Sequence, residues 1–224
     1  MRLPTGYTAV AFMLLLVISA GAFTAGRRTA EFDEITVKKI TVVDDQGRAR
    51  VLLAGGYGPR RADLAGLLFI NQEGVEAGGL VYTGKRDSAG AVSAGAILTF
   101  DQFENDQIVA LSYDHDGGRK RQGLTIQDRP DSLTDRVIEA YRAVESATSE
   151  AERDSLVEHH FSRIPRREIA ARRLFVGRSW NQSSLVTLSD RDGRARLRLE
   201  VDSLGAASIQ FLDDAGDVVR TITP

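Results

Sequence analysis

One device reverses this chain again and again, and it constrains the fold more than any other feature. Asp44-Asp45-Gln46-Gly47-Arg48-Ala49-Arg50 returns near the other end as Asp190-Arg191-Asp192-Gly193-Arg194-Ala195-Arg196. Looser copies of the Asp/Asn-x-x-Gly core stand at Asn71–Gly74, Asp114–Gly117, Asp202–Gly205 and Asp213–Gly216. An Asp or Asn in first position accepts a hydrogen bond from the backbone two residues on. Glycine then supplies the left-handed residue that closes a short hairpin loop with a bulge, where other residues are strained. Each copy lies between short apolar or alternating runs, so the chain reads as a string of antiparallel strands.

The strands can be placed on either side of these turns. Ile35 to Val43 is β-branched and precedes the first turn, with Ala49 to Ala54 returning from it. Gly55 to Arg61 reads as a loop. Leu67–Ile70 and Gly79–Tyr82 flank the Asn71 turn, and Lys85 to Gly90 forms a polar loop. Ala96–Phe100 and Ile108–Tyr113 surround the polar connection Asp101–Asp106, and the Asp114 turn leads to Leu124–Ile126. Later strands are expected at Ala170–Val176, Leu185–Leu188, Ala195–Val201, Ser208–Phe211 and Val218–Ile222. Alternation puts Leu197, Leu199 and Val201 toward a core and Arg196, Arg198 and Glu200 outward. The turn spacing is regular only across the last three copies, which argues for a meander rather than a solenoid.

Past Pro130 the period changes to that of a helix. Leu133, Val137, Tyr141 and Val144 form one stripe, and Ser132 to Asp135 has capping-box spacing at its start. Ser149 to Glu152 repeats that signal and opens a second helix ending near Phe161, with Pro165 barring continuation. The expected fold is mainly β: an antiparallel meander of hairpins, as a sandwich or open barrel, with a two-helix insertion and an N-terminal transmembrane or signal helix. The expected organisation is a membrane anchor or signal peptide over 1–30, a hairpin region over 31–130, the helical insertion over 131–168, and a C-terminal meander over 169–224 completing the same domain.

The N-terminus bears on location. Tyr7 to Ala25 carries no charge and is flanked by Arg2 and by Arg27-Arg28. About 20 apolar residues span a bilayer, while Ala20-Gly21-Ala22 has the form of a signal-peptide cleavage site. Both readings stand, a retained single-pass anchor or a cleaved signal peptide, and both deliver residues 30–224 to the membrane or beyond it. Charges at both ends leave the orientation of an anchor open. The net charge of -2 gives no field that draws the chain to nucleic acid. With no cysteine, disulfides, thiolate metal sites and a cysteine nucleophile are excluded.

Chemistry-bearing candidates are few. Asp101, Asp106 and Asp128 are the candidate acids or bases, because the connection Asp101–Gln107 and the segment Asp128–Asp131 can bring carboxylates to one end of the sheet. Paired carboxylates are the machinery of glycoside hydrolysis. Gln102, Gln107, Arg129 and Trp180 are candidate ligand contacts, Trp180 as a stacking surface or as a cover for the core. The basic run Arg163, Arg166, Arg167, Arg172, Arg173 and Arg178 suits anionic lipid headgroups, an acidic partner, or a solvated face paired with the preceding helices. Asp190–Gly193 and Asp114–Gly117 lack the further oxygens of a calcium loop, and Glu158-His159-His160 lacks zinc-protease spacing, so no metal site and no cofactor is expected.

These segments together resemble a bacterial family of exported or membrane-anchored β-rich proteins with no established activity. The resemblance rests on Phe32-Asp33-Glu34-Ile35, Gly66-Leu67-Leu68-Phe69-Ile70-Asn71 with Gly78-Gly79-Leu80, and Leu98-Thr99-Phe100-Asp101-Gln102. Asp106-Gln107, Asp128-Arg129-Pro130, Phe175-Val176-Gly177-Arg178 and the C-terminal hairpins complete it, over roughly residues 32–222. It implies location and build, and carries over no catalytic residue. The leading expectation is a non-catalytic, extracytoplasmic β module that binds an envelope protein or glycan. The alternative is a hydrolase acting on an envelope polysaccharide through the loop carboxylates.

Overall fold

The computed structural model describes residues 30–58 and 62–224, so the expected N-terminal membrane segment lies outside the described residues. Among the described residues no helix is long and apolar enough to cross a membrane. Met1–Val37 and Lys38–Pro224 are separate units. In the first, residues 30–37 carry no strand or helix. The first strand therefore begins at Lys39, not at Ile35.

The second unit is built on one twelve-stranded sheet in which every strand pairs with its sequence neighbours, all antiparallel. The strands are β1 Lys39–Val43, β2 Ala49–Ala54, β3 Ala65–Ile70, β4 Glu76–Arg86, β5 Val92–Asp101 and β6 Gln107–Asp116. They continue as β7 Arg119–Asp128, β8 Ala171–Arg178, β9 Ser184–Ser189, β10 Ala195–Val201, β11 Ala207–Leu212 and β12 Val218–Ile222. The expected meander is present as a single twelve-stranded sheet whose edges, β1 and β12, do not pair with each other.

The recurring turn does what its residues dictate. Asp44 Oδ1 accepts from the N–H groups of Gln46 and Arg48 at 3.0 Å each, and Gly47 at φ +78° donates to the Asp44 carbonyl. Asn71, Asp190, Asp202 and Asp213 repeat this pattern. So does Asp87, inside what reads in the sequence as an undifferentiated polar loop. Asp114 does not. There β6 and β7 run on to Asp116 and Arg119 and turn on Gly117-Gly118, both at positive φ. A two-residue turn with two left-handed glycines matches the strand twist and adds ladder pairs that an earlier turn would forfeit.

Glycines stand where neighbouring strand backbones leave no room for a side chain. A Cβ on Gly177 would lie 2.1 Å from the Gln122 carbonyl oxygen, and one on Gly66 would lie 2.0 Å from that of Leu80. Glycine inside a strand marks such a close backbone approach.

The insertion between β7 and β8 holds α1 Asp135–Glu145 and α2 Glu150–Phe161, followed by a single 3-10 turn at Arg166–Glu168. Val137, Ala140 and Ile164 form a small buried cluster, with Leu133, Tyr141, Phe161 and Ile169 packed on it. Ser149 caps α2 by accepting from the Glu152 N–H at 3.2 Å. The expected capping box at Ser132 is absent. Thr134 is the N-cap of α1 without a side-chain cap, because its hydroxyl faces Glu168.

Candidate functional site

Strand alternation divides the sheet into two chemically unlike faces. The pairing register carries one row across all twelve strands: Ile40, Leu53, Leu67, Leu80, Leu98, Leu111, Leu124, Val176, Val186, Leu199, Ile209 and Ile222. Every member is aliphatic. A second row on the same face runs through Val42, Val51, Phe69, Phe100, Val109, Ile126, Leu174, Leu188, Leu197 and Phe211, broken by Gly78 in β4 and ending on Arg220 in β12.

This apolar face is not a core. In the first row, alternate members are half-buried, and the other six are 39 to 54 % exposed. Neighbouring strands run in opposite directions and side chains lean along their strand. Successive members therefore tip alternately into the stripe and out of it, making crests and furrows. Leu199 and Val201, expected to face a core, do share a face with Leu197, but both remain exposed because no second layer among the described residues covers them. At the C-terminal strands this face hollows into a concavity of about 740 Å³ lined by Val176, Val186, Leu199, Val201, Ile209 and Ile222 among others.

The opposite face is mixed and partly self-covered. Phe175 is buried there, its ring lying against Gly123 with the Arg121 guanidinium 4.5 Å over it. Near β3–β6 the loop after β2 closes over this face. Tyr57 Oη donates to the Gly66 carbonyl at 2.5 Å, and a cavity of about 170 Å³ is left between Tyr57, Leu64, Glu76, Thr99, Gln107 and neighbours.

Apart from Trp180 the sequence candidates gather at one end of the sheet, and Gln107 among them also lines that cavity. The connections Asp101–Gln107 and Asp128–Pro130 meet at one end of the sheet. Gln102 Nε2 and Asn105 Nδ2 donate to the Pro130 carbonyl at 3.3 and 2.7 Å. Arg129, almost fully buried, donates to the Gln107 carbonyl and to Asp106 at 2.9 Å each, and to the Ile169 carbonyl at 3.4 Å. Asp128 is exposed and pairs with Arg173 at 2.6 Å. Asp106 and Asp128 are thus each held by an arginine. Asp101 is not: its Oδ1 is buried without a hydrogen-bond partner, as is Arg50 Nη1. Burial, followed by the Asp106 and Glu76 carboxylates, pushes Asp101 up to about 6 against the pull of Arg129. Trp180 lies in the β8–β9 turn at the other end of the sheet, with the Arg119 guanidinium 5.5 Å over its ring. The eight-residue β8 separates it from Asp128, about 25 Å at the rise of a strand.

The basic run is dispersed. Arg167 pairs with Asp192 at 3.3 Å and Arg173 with Asp128, while Arg178 donates to the Lys120 carbonyl at 2.6 Å. The partners of Arg167 and Arg173 are carboxylates at the sheet end, not the acidic helices. Asp190 spends Oδ1 on two backbone N–H groups and Oδ2 on Arg196. Among the described residues no three of His, Cys, Asp and Glu converge as metal ligands.

Two features escape a reading of the sequence by segments. Glu76 reaches the Asp101 corner only through the register of β3 to β5. The apolar rows were legible strand by strand as alternation, but their continuity across twelve strands depends on the pairing. No protein-family model and no curated protein matches this chain.

Proposed function

We propose that this chain is a non-catalytic, extracytoplasmic binding module of the cell envelope, held there through its apolar N-terminal stretch, whose working surface is the apolar face of the sheet. The observation that carries this reading is the unbroken aliphatic row, exposed at every second strand. The largest apolar patch on an ordinary monomer is about 300–600 Å², and larger ones mark interaction surfaces. Two rows across twelve strands cover roughly 53 Å by 14 Å, about 750 Å², from strand and residue spacings.

The alternative, a hydrolase of an envelope polysaccharide, is favoured by one observation: Asp101 titrates near 6 beside Glu76. Against it, the adjoining cavity of about 170 Å³ is smaller than the roughly 300–1,000 Å³ of ordinary ligand sites. Asp106 and Asp128 are engaged by arginines, and Trp180 is too far away to stack a sugar held there.

Carbene footprinting tests the binding reading. The full chain is labelled in the envelope of its own cells and again after purification and dilution. Leu80, Leu111 and Leu199 should be protected in the envelope and labelled in the dilute protein. Equal labelling in both states would mean that nothing occupies the face.

A further inference from the structure

We infer that the occupant of the apolar face is a second copy of this chain, the two sheets packing face to face as a symmetric sandwich. This rests on the binding-module reading and names its partner. Three observations converge on it.

The first is architectural. Domains bury a sheet's apolar face against a second layer, and open sheets beyond about ten strands usually curl, flatten or split into two packed layers. Here the helices pack on each other and on Ile164 beside one end of the sheet, and the face stays exposed along its length. Among the described residues nothing supplies a second layer, so we assign it to another molecule.

The second is area. About 750 Å² from each of two copies totals about 1,500 Å², within the roughly 1,200–2,000 Å² of a stable specific interface. A small apolar ligand would cover a fraction of the row; an identical sheet covers all of it.

The third is self-complementarity. In the first row the exposed members fall on the even-numbered strands: Leu53, Leu80, Leu111, Val176, Leu199 and Ile222. In the second row they fall on odd-numbered strands, as at Val42, Phe100, Ile126, Leu188 and Phe211. Consider a two-fold axis running across the strands between the rows. It lays each strand over its own counterpart and each row over the other row. From β1 to β11 every crest then meets a furrow, with the layers about 10 Å apart as in sandwich cores; at the β12 edge Ile222 meets Arg220. An isologous interface demands such a surface, one that complements itself. No charged side chain interrupts either row before Arg220.

The absence of cysteine makes the test clean. Leu111→Cys puts one thiol at the centre of the face, and Ser112→Cys puts one on the opposite face, since neighbouring strand residues point oppositely. Each full-length variant is treated in intact cells with a short, permeant bis-maleimide. Leu111→Cys should give a covalent dimer and Ser112→Cys little or none. Adding Leu80→Glu or, as an independent variant, Leu199→Glu should cut the dimer at least about tenfold, because a carboxylate buried without a partner is strongly penalised. Both replaced residues are exposed within the chain, so the melting temperature of the diluted protein should hardly move.

Equal crosslinking at 112 and 111, or a dimer that survives both glutamate variants, overturns the inference. If position 111 does not crosslink while footprinting finds the row protected in the envelope, the occupant is a different molecule, and only the second-copy inference fails. If 111 does not crosslink and the row labels as freely as in dilute protein, the binding-module reading fails with it.

Discussion

Replacing Gly177 by alanine should damage the fold far more than the same change at a glycine in open space. Gly177 faces Gly123 across the β7–β8 pair. Its new Cβ would lie 2.1 Å from the Gln122 carbonyl oxygen and 2.6 Å from Gly123 Cα, where ordinary contact begins at 3.4 Å. Both obstacles are backbone, so no side chain can swing away, and the two strands must part by more than an ångström. Forcing a methyl into a packed site costs about 1–3 kcal/mol. Losing one or two ladder hydrogen bonds adds about 1 kcal/mol each. The expected loss is therefore about 2–5 kcal/mol, or roughly 4–20 °C in melting temperature for a domain of this size.

Gly205→Ala is the matched control. Gly205 lies at φ +91° with nothing within 4 Å of its Cβ position. Only the left-handed penalty applies, about 1–2 kcal/mol. Urea unfolding followed by far-ultraviolet circular dichroism gives both values under one set of conditions. A loss at Gly177 no greater than that at Gly205 would refute the close backbone approach.

Three further outcomes follow from the site geometry. Arg129→Met should destabilise the chain by about 3–5 kcal/mol, the cost of stripping the partner from buried polar groups, read by the same urea titration; a change under about 0.5 kcal/mol, typical of surface positions, would place Arg129 outside the bond network. Asp101 has a folded pKa raised to about 6 from 3.8, so its protonated form is favoured by folding. The stability it contributes is full below its unfolded pKa and is lost as pH rises to 6. Asp101→Asn should therefore be more stable than the parent at pH 7, by about 1 kcal/mol once solvent screening is allowed for, and nearly equal to it at pH 4; a constant difference across that range would assign the effect to something other than this carboxyl. Val137→Ala, at a side chain with no exposure, should loosen the insertion by about 2 kcal/mol and leave the sheet intact, seen as faster amide exchange in Asp135–Phe161 with unchanged exchange in β4–β7.

Much of the fold was legible because its signals are local. A turn needs only its own side-chain acceptor and one left-handed residue, so Asp44, Asn71, Asp190, Asp202 and Asp213 reverse the chain where their residue types require. The stripe on α1 and the Ser149 cap are equally local. The departures occur where two local preferences compete. Asp114 lost to Gly117-Gly118, which permit a tighter turn and a longer ladder, and the Ser132 signal lost to Thr134, whose hydroxyl faces Glu168. In the polar corner, proximity of Asp101–Gln107 to Asp128–Pro130 was foreseeable. That Arg129 would be buried among them, tying up Asp106 and leaving Asp101 unpaired, was not.

By itself the sequence determined that this chain is an antiparallel meander broken once by two helices, since turn chemistry and hydrophobic period act over a few residues and need no distant partner. Only the tertiary structure decided that the strands form one open layer. The same alternation of Leu197, Leu199 and Val201 serves a closed barrel, a sandwich or a single sheet, because it says which side chains share a face and not what covers them. Closure depends on whether the first and last strands meet, and here β1 pairs only with β2 and β12 only with β11, which leaves the sheet open. That is why the aliphatic row forms a surface, with six of its twelve side chains exposed and none fully buried, instead of a core.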